Sequence, residues 1–418
     1  MAAAEATAVA ARSTGREPRL SHHALWLLSG GVAQSAIAFT ANLVLVRHLA
    51  PSDFGRFAVQ LAATGLVLAL GSQRVGVQVI RQRGELTAHD RDRLVSALLA
   101  ETGVLATVVV GWMATSGTLD LFGGLLVAAI FLRHLQTNLL AFHERRMAYR
   151  GLALLETGSL LAGHGLAVAL ASTGAGAIAL YLRELTTATL ALVGLAAMGG
   201  LPRLRPRLLT ASEWRRAWRE ARDVWADGTL ESAFARVLPI AAGAFGGHHG
   251  AGLYFQAQRL ASVPHQLLGP VAGRLALNWF SRAEDRRART RFLVRALGLL
   301  GGPLALVALG TVLFADALVP WLLGPTWTPV APLLVAMVGG VAGVSLFATS
   351  KMFLIADRGG RVLLLARLAQ FAGLGLGIGA SLLFDAVEGV TGVALGYSLA
   401  FVLAVVCAWT GTYLRQRE

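Results

Sequence analysis

Apolar runs of roughly 20 residues follow one another along nearly the whole of this 418-residue chain. They lie near 24–46, 56–80, 94–114, 121–142, 148–171, 174–198, 226–246, 250–279, 292–315, 329–352, 361–384 and 388–413. Each is long enough to cross a hydrocarbon core of about 30 Å as a helix. The composition leaves little else to build with: 55% of residues are hydrophobic, 14% are charged and the mean hydropathy is +0.61, so no soluble domain has room to form.

The net charge is +14, and Lys351 is the one lysine among the 37 Lys and Arg residues. In a soluble protein that excess would suggest nucleic acid; here its distribution gives it to topology, and no nucleic-acid partner is expected. Loops on one side hold Arg81, Arg83, Arg91 and Arg93, then Arg145, Arg146 and Arg150, then seven arginines between 203 and 222. The same side continues with Arg282 to Arg291, with Lys351, Arg358 and Arg361, and with the termini through Arg12, Arg16, Arg19, Arg415 and Arg417. Opposite loops near 115–120, 172–173, 247–249, 316–328 and 385–388 have no Lys or Arg; only the first hairpin has Arg47 and Arg56 at its edges. Twelve spans with both termini cytoplasmic satisfy the positive-inside rule, which predicts a multi-pass membrane protein.

The first 23 residues contain no apolar core, so a cleaved signal peptide is not expected. The single cysteine, Cys407, excludes an internal disulfide and a cysteine metal cluster. His248 and His249 form a turn pair without a third ligand nearby in sequence, so no metal is expected. "GLGLGIG" at 373–379 lies in an apolar span without a P-loop lysine and fits helix packing better than nucleotide binding; no cofactor is expected.

These features predict an all-α integral membrane fold: a cytoplasmic tail at 1–23, a six-helix bundle at 24–198, a cytoplasmic linker at 199–225, a second six-helix bundle at 226–413 and a tail at 414–418. The linker "GGLPRLRPRLLTASEWRRAWREARDVW" is helix-compatible from about Ser212. At 100° per residue Trp214, Trp218, Ala221 and Trp225 share a stripe flanked by arginines, the pattern of an amphipathic helix resting on membrane lipids. The alternative is a basic linker that serves topology alone.

The first hairpin, "VRHLAPSDFGRFAV" at 46–59, aligns without a gap on "FGGHHGAGLYFQAQ" at 245–258, placing Gly55 on Gly252 and Phe57 on Tyr254. In each, a small residue opens the turn and an aromatic follows two places on. Six spans separate the two hairpins, so both halves enter the membrane in the same sense, as in the parallel repeats of several secondary transporters, with a substrate path between them.

Three stretches carry a resemblance. "LVLVRHLAPSDFGRFAVQLAATGLVLALGSQRVGVQVIR", "GAGLYFQAQRLASVPHQLLGPVAGRLALNWFSRAEDRRARTR" and "LLGPTWTPVAPLLVAM" resemble the first hairpin, the eighth span with its following loop, and the turn into the tenth span of the polysaccharide transporter family. This is the O-antigen flippase-like branch of the superfamily that also holds multidrug and toxic-compound extruders and lipid II flippases. The resemblance implies two six-helix bundles around a central cavity lined chiefly by the first, second, seventh and eighth helices. It implies a transporter, not an enzyme, that turns a lipid-linked oligosaccharide on undecaprenyl diphosphate from the inner to the outer leaflet, working beside glycan-assembly partners. No cation-site motif is matched, which leaves coupling to a proton or sodium ion open. The rival readings are a drug or metabolite antiporter of the same superfamily and a membrane enzyme processing the same lipid carrier.

Ionisable groups within spans cost at least about 2.5–3.5 kcal/mol each on insertion scales, which makes them functional candidates. Arginine suits a diphosphate because it presents charge and several donors in a fixed fork. Arg74, Arg236 and Arg259 fall on helices the family uses to line its cavity; Arg133 and Arg183 are further substrate-binding candidates. For each, the alternative is a structural ion pair with a glutamate. Glu231 or Glu156 could bind the coupling ion, with Asp227 one turn from Glu231 on the same face, structural pairing again being the alternative. Glu101, Asp227, Arg274, Arg295 and Arg367 are expected near the inner surface, where they can snorkel. Pro239 and Pro264 interrupt the seventh and eighth spans as hinges or as static kinks.

Overall fold

The computed structural model describes residues 17–82, 84–199, 201, 207–282, 286–383 and 388–417. Arg12, Arg16, Arg83, Arg203 and Arg205 lie outside the described residues, as do the side chains of Arg19, Arg222, Arg274, Arg282 and Arg286. Among the described residues there are only helices: α1 (Glu17–His48), α2 (Pro51–Gly71), α3 (Val75–Arg81), α4 (Ala88–Thr115), α5 (Leu121–Arg145), α6 (Tyr149–Ser172) and α7 (Ile178–Ala197). There follow α8 (Ala211–Arg282), α9 (Arg286–Leu323), a 3-10 turn (Pro325–Trp327), α10 (Val330–Ala336), α11 (Val338–Ala356), α12 (Gly360–Leu383) and α13 (Gly389–Arg417).

Among the described residues, ten helical segments are long and apolar enough to cross a membrane. The expected seventh and eighth spans are the two arms of α8. Within α8 the one non-helical residue is Gly247, at φ 57° and ψ −161°, a conformation that glycine adopts without a Cβ penalty. The arms fold back on each other there: a Cβ on Gly243 would sit 3.7 Å from Ala251 Cβ. Two six-helix bundles result. Pro239 and Pro264 do not interrupt α8, so neither breaks its helical path. The drawn boundary at 225/226 is no helix end either. The helix starts at Ala211 behind a capping box in which the Glu213 N–H donates to Thr210 Oγ1 and the Thr210 N–H donates to the Glu213 carboxylate, and it runs unbroken into the span. A side-chain bond from Arg207 holds the Glu213 carboxyl down at about 2. Ala217 and Ala221 are buried, Glu220 pairs with Arg93 of α4, and the Trp225 indole donates to the Leu70 carbonyl, so this segment docks on the N-terminal bundle.

The hydrophobic core has a shape. One large cluster spans both bundles at the arginine-poor end, including Phe54, Phe57, Tyr181, Tyr254, Trp327 and Tyr397. Toward the arginine-rich end it splits into two separate clusters, one around Val75, Leu94 and Phe142 and one around Phe280, Phe353 and Ala404. The two cores are therefore joined at one end and parted at the other, where the first arm of α8 keeps its hydrogen bonds to the second span.

The seal is built from the three stretches that carry the resemblance. A methyl group on Gly55 would overlap the His248 carbonyl oxygen, and one on Gly252 would overlap the Pro51 carbonyl oxygen. The two glycines that the repeat places in register thus meet across the bundle interface, each against the other's helix start. Trp327 completes the contact by donating from its indole to the Val46 carbonyl at 2.8 Å and by standing edge-on to Phe54.

Candidate functional site

The expected second span is not one helix. It breaks at Ser72, Gln73 and Arg74, and Arg74 takes a left-handed conformation, φ 53° and ψ 50°. A broken helix at membrane depth needs other partners for its freed backbone groups, and neighbouring helices supply them. The Gln73 N–H donates to Glu101 of α4 at 2.9 Å, and the Gly76 N–H donates to the Asn138 side chain of α5 at 2.8 Å. Thr229 Oγ1 of α8 donates to the Ala69 carbonyl. Glu101 also meets His134 Nε2 at 2.9 Å and is 5% exposed. It was expected to snorkel; instead it caps the break.

The break aims Arg74 into a cavity of about 770 Å³, within the range of pockets that hold a drug-sized ligand. The cavity reaches from Phe57, near the sealed end, to Ile80 and Glu144 at the parted end. All five substrate-binding candidates, Arg74, Arg133, Arg183, Arg236 and Arg259, line it. They do so in two different ways. Arg133 and Arg183 both pair with Glu184, each at 2.9 Å, so two cations share one carboxylate. Arg74, Arg236 and Arg259 have no carboxylate within 4 Å among the described residues. Arg74 donates to Ser232 Oγ at 3.3 Å, Arg236 to the Leu61 carbonyl at 3.4 Å and Arg259 to the Ala38 carbonyl at 2.8 Å.

Two of these side chains sit in reciprocal glycine seats. A Cβ on Gly228 would stand 2.7 Å from the Arg74 guanidinium carbon, and a Cβ on Gly65 would stand 2.7 Å from that of Arg236. Each arginine thus crosses to the opposite helix and lies flat where that helix has no side chain.

The lining differs from the expected one. The second, seventh and eighth spans contribute, but no described residue of α1 does; α5, α6 and α7 take its place. α1 stands behind Arg259, receiving its hydrogen bond at Ala38.

The ion-coupling candidates separate. Asp227 and Glu231 lie in a four-charge cluster: Lys351 reaches them at 3.1 and 2.7 Å, and Arg367 at 3.0 Å each. Arg367 does not snorkel, because this pairing and the Phe347 ring hold it at 3% exposure. Glu156 is not among the residues lining the cavity, and Gln34 near it donates to Thr157 Oγ1 at 3.4 Å. Sequence reading missed Gln73 and His134 and named Glu101 only as a snorkelling residue, because their grouping brings together the break, α4 and α5.

The fold that results is that of membrane transporters and flippases. It is similar to lipid II flippase MurJ in an inward closed conformation, at 13% identity over 91% of this chain and 87% of that one, with a TM-score of 0.67. It is also similar to a multidrug resistance MATE family transporter of the MOP superfamily in its inward-facing conformation (14% identity, 94% and 98% covered, TM-score 0.65). A MATE transporter from Vibrio cholerae aligns at 12% identity over 96% and 97% of the two chains, with a TM-score of 0.62. No match to the chain was found among curated proteins. The family model for polysaccharide biosynthesis proteins matches residues 44–332, and the chain belongs to that family.

Proposed function

We propose that the protein is a flippase that carries a polyprenyl-diphosphate-linked oligosaccharide across a bacterial cytoplasmic membrane by alternating access, for export to the cell surface. The arginine-rich end is the cytoplasmic one, with both termini there. The observation that carries the reading is the set of three guanidiniums, Arg74, Arg236 and Arg259, facing one cavity without a carboxylate partner within 4 Å among the described residues. Buried cations left unpaired are costly, and the cost is offset when an anion with several acceptor oxygens enters. A diphosphate meets that need, while its hydrocarbon tail stays in lipid.

Alternating access follows from the core. With the two cores joined at Gly55 and Gly252 and separate at the cytoplasmic end, the cavity receives the head group from inside. Parting the seal while the cytoplasmic ends close delivers it to the other face. The N-terminal bundle, 24–198, and the C-terminal bundle, 226–413, are the moving bodies, and the basic linker at 199–225 anchors on anionic lipid.

The test is replacement of Arg236 or Arg259 by Ala, with analysis of lipid-linked saccharides on each side of the membrane. The expected outcome is loss of surface glycan and accumulation of the lipid-linked saccharide inside, with protein still in the membrane. Normal surface glycan in both variants removes the head-group site.

A further inference from the structure

We propose that Glu101 and His134 form a proton-binding site that sets how freely Arg74 can engage an anion in the cavity. As a control on the affinity for a transported head group, the site rests on the transport reading; as a proton site, it stands on the geometry below.

Three other deep carboxylates, Glu184, Asp227 and Glu231, are each held by arginine or lysine. Guanidinium does not give up its proton at physiological pH, so the pairs it makes hold fixed charge. Glu101 is different: the charged partner it touches is an imidazole, the side chain whose ordinary titration falls near neutrality. His134 lines the cavity, which gives a proton a route from water, while Glu101 is closed off behind it.

The pair is also mechanically connected. The second carboxylate oxygen of Glu101 takes the Gln73 N–H, one residue before the left-handed Arg74. The charged group facing the pair from the second span is Arg74, on which Glu101, Asp227 and Glu231 all act. The last two come from α8 and are already matched by Lys351 and Arg367. On α5, Arg133 turns away to Glu184, and Glu144 lies toward the parted end of the cavity.

The charge balance follows. With neutral His134, the pair carries one net negative charge, which attracts the Arg74 guanidinium and competes with an incoming anion. One proton taken from cavity water onto the imidazole makes the pair self-neutral, forming one N–H bond and nothing else. Arg74 is then free to serve the cavity. Proton binding and anion binding at this site therefore favour each other, and by linkage an anion on Arg74 favours retention of the proton.

The experiment measures binding of inorganic sulfate, a dianion whose charge is constant between pH 6 and 8, to the full chain in lipid nanodiscs. Wild type is expected to bind sulfate about tenfold more tightly at pH 6 than at pH 8. E101Q, which keeps an acceptor for the Gln73 N–H, and H134Q are each expected to bind sulfate with that ratio reduced to less than about twofold. His164, another imidazole of the cavity, remains in both variants, so its contribution is common to all three. A tenfold ratio retained in either variant overturns the proton site and leaves the flippase reading untouched. A normal surface-glycan result for R236A and R259A removes the head-group site of the flippase reading and leaves a lost ratio in E101Q and H134Q as support for the proton site. Absence of sulfate binding at every pH overturns both.

Discussion

The two bundles share a fold and handle buried charge in opposite ways. In the C-terminal bundle, Asp227, Glu231, Lys351 and Arg367 neutralise one another in a cluster that ties α8 to α11 and α12. Around the cavity, five arginines from the N-terminal bundle and the two arms of α8 have one carboxylate, Glu184, within ion-pair reach. The first arrangement is what a fold does with charge for its own coherence. The second leaves a deficit of negative charge among the described residues, and that deficit is what supports the proposed binding site.

The comparison is broken most severely by removing the deficit. The double variant R236A/R259A is expected to lower delivery of the lipid-linked saccharide by about 100-fold or more, since each lost charged hydrogen bond costs roughly 2–5 kcal/mol of binding. Next in size is the contrast in stability. R367M leaves Asp227 and Glu231, both partly exposed, with one cation between them and is expected to cost about 1–3 kcal/mol, read as a lower melting temperature in detergent. R236M removes a buried cation with no carboxylate partner and is expected to leave the melting temperature unchanged or raised. Equal destabilisation by the two would mean that the bundles treat charge alike. G55A is expected to cost about 1–3 kcal/mol through overpacking at the seal and to shift the protein toward a state open at the arginine-poor end. In a C407S background, a cysteine at buried Gln256 should then gain reactivity with an impermeant maleimide. W225F, which removes one donor from the Leu70 carbonyl, is expected to cost only about 0.5–1.5 kcal/mol. The smallest effect concerns the clasp at the start of α8. Arg207 holds the Glu213 carboxyl at about 2, below its ordinary value near 4.5, so its contribution is complete above the ordinary value and disappears as pH falls through about 2. Limited proteolysis near residue 207 across that range should show the release.

Much of this was legible in the sequence because membrane chains advertise their spans. The apolar runs and alternating arginine loops gave the helices and their two sets of six, and the Gly55 and Gly252 register pointed to two hairpins that turn out to touch. Intramembrane arginines were visible as costly residues; which of them shared Glu184 was not, because Arg133 and Glu184 come from different helices. The break in the second span was hidden for a related reason. "SQR" contains neither proline nor glycine, and what permits the break is acceptors and donors on α4, α5 and α8. Asp227 and Glu231 were read correctly as neighbours on one face, but Lys351 and Arg367, which close the cluster, stand more than a hundred residues away. The tryptophan stripe was real as a pattern, yet Ala217 and Ala221 decide where that segment docks, since small residues let two helices approach.

What each seal glycine meets is the opposite helix's main chain and not a side chain. Trimming a neighbour therefore cannot make room for a bulkier residue at 55 or 252. Second-site suppressors of such a change should fall instead where whole helices can tilt or slide, at the far ends of α2 and the second arm of α8, so that a genetic screen would trace the axes of the moving bodies without a structure of the open state.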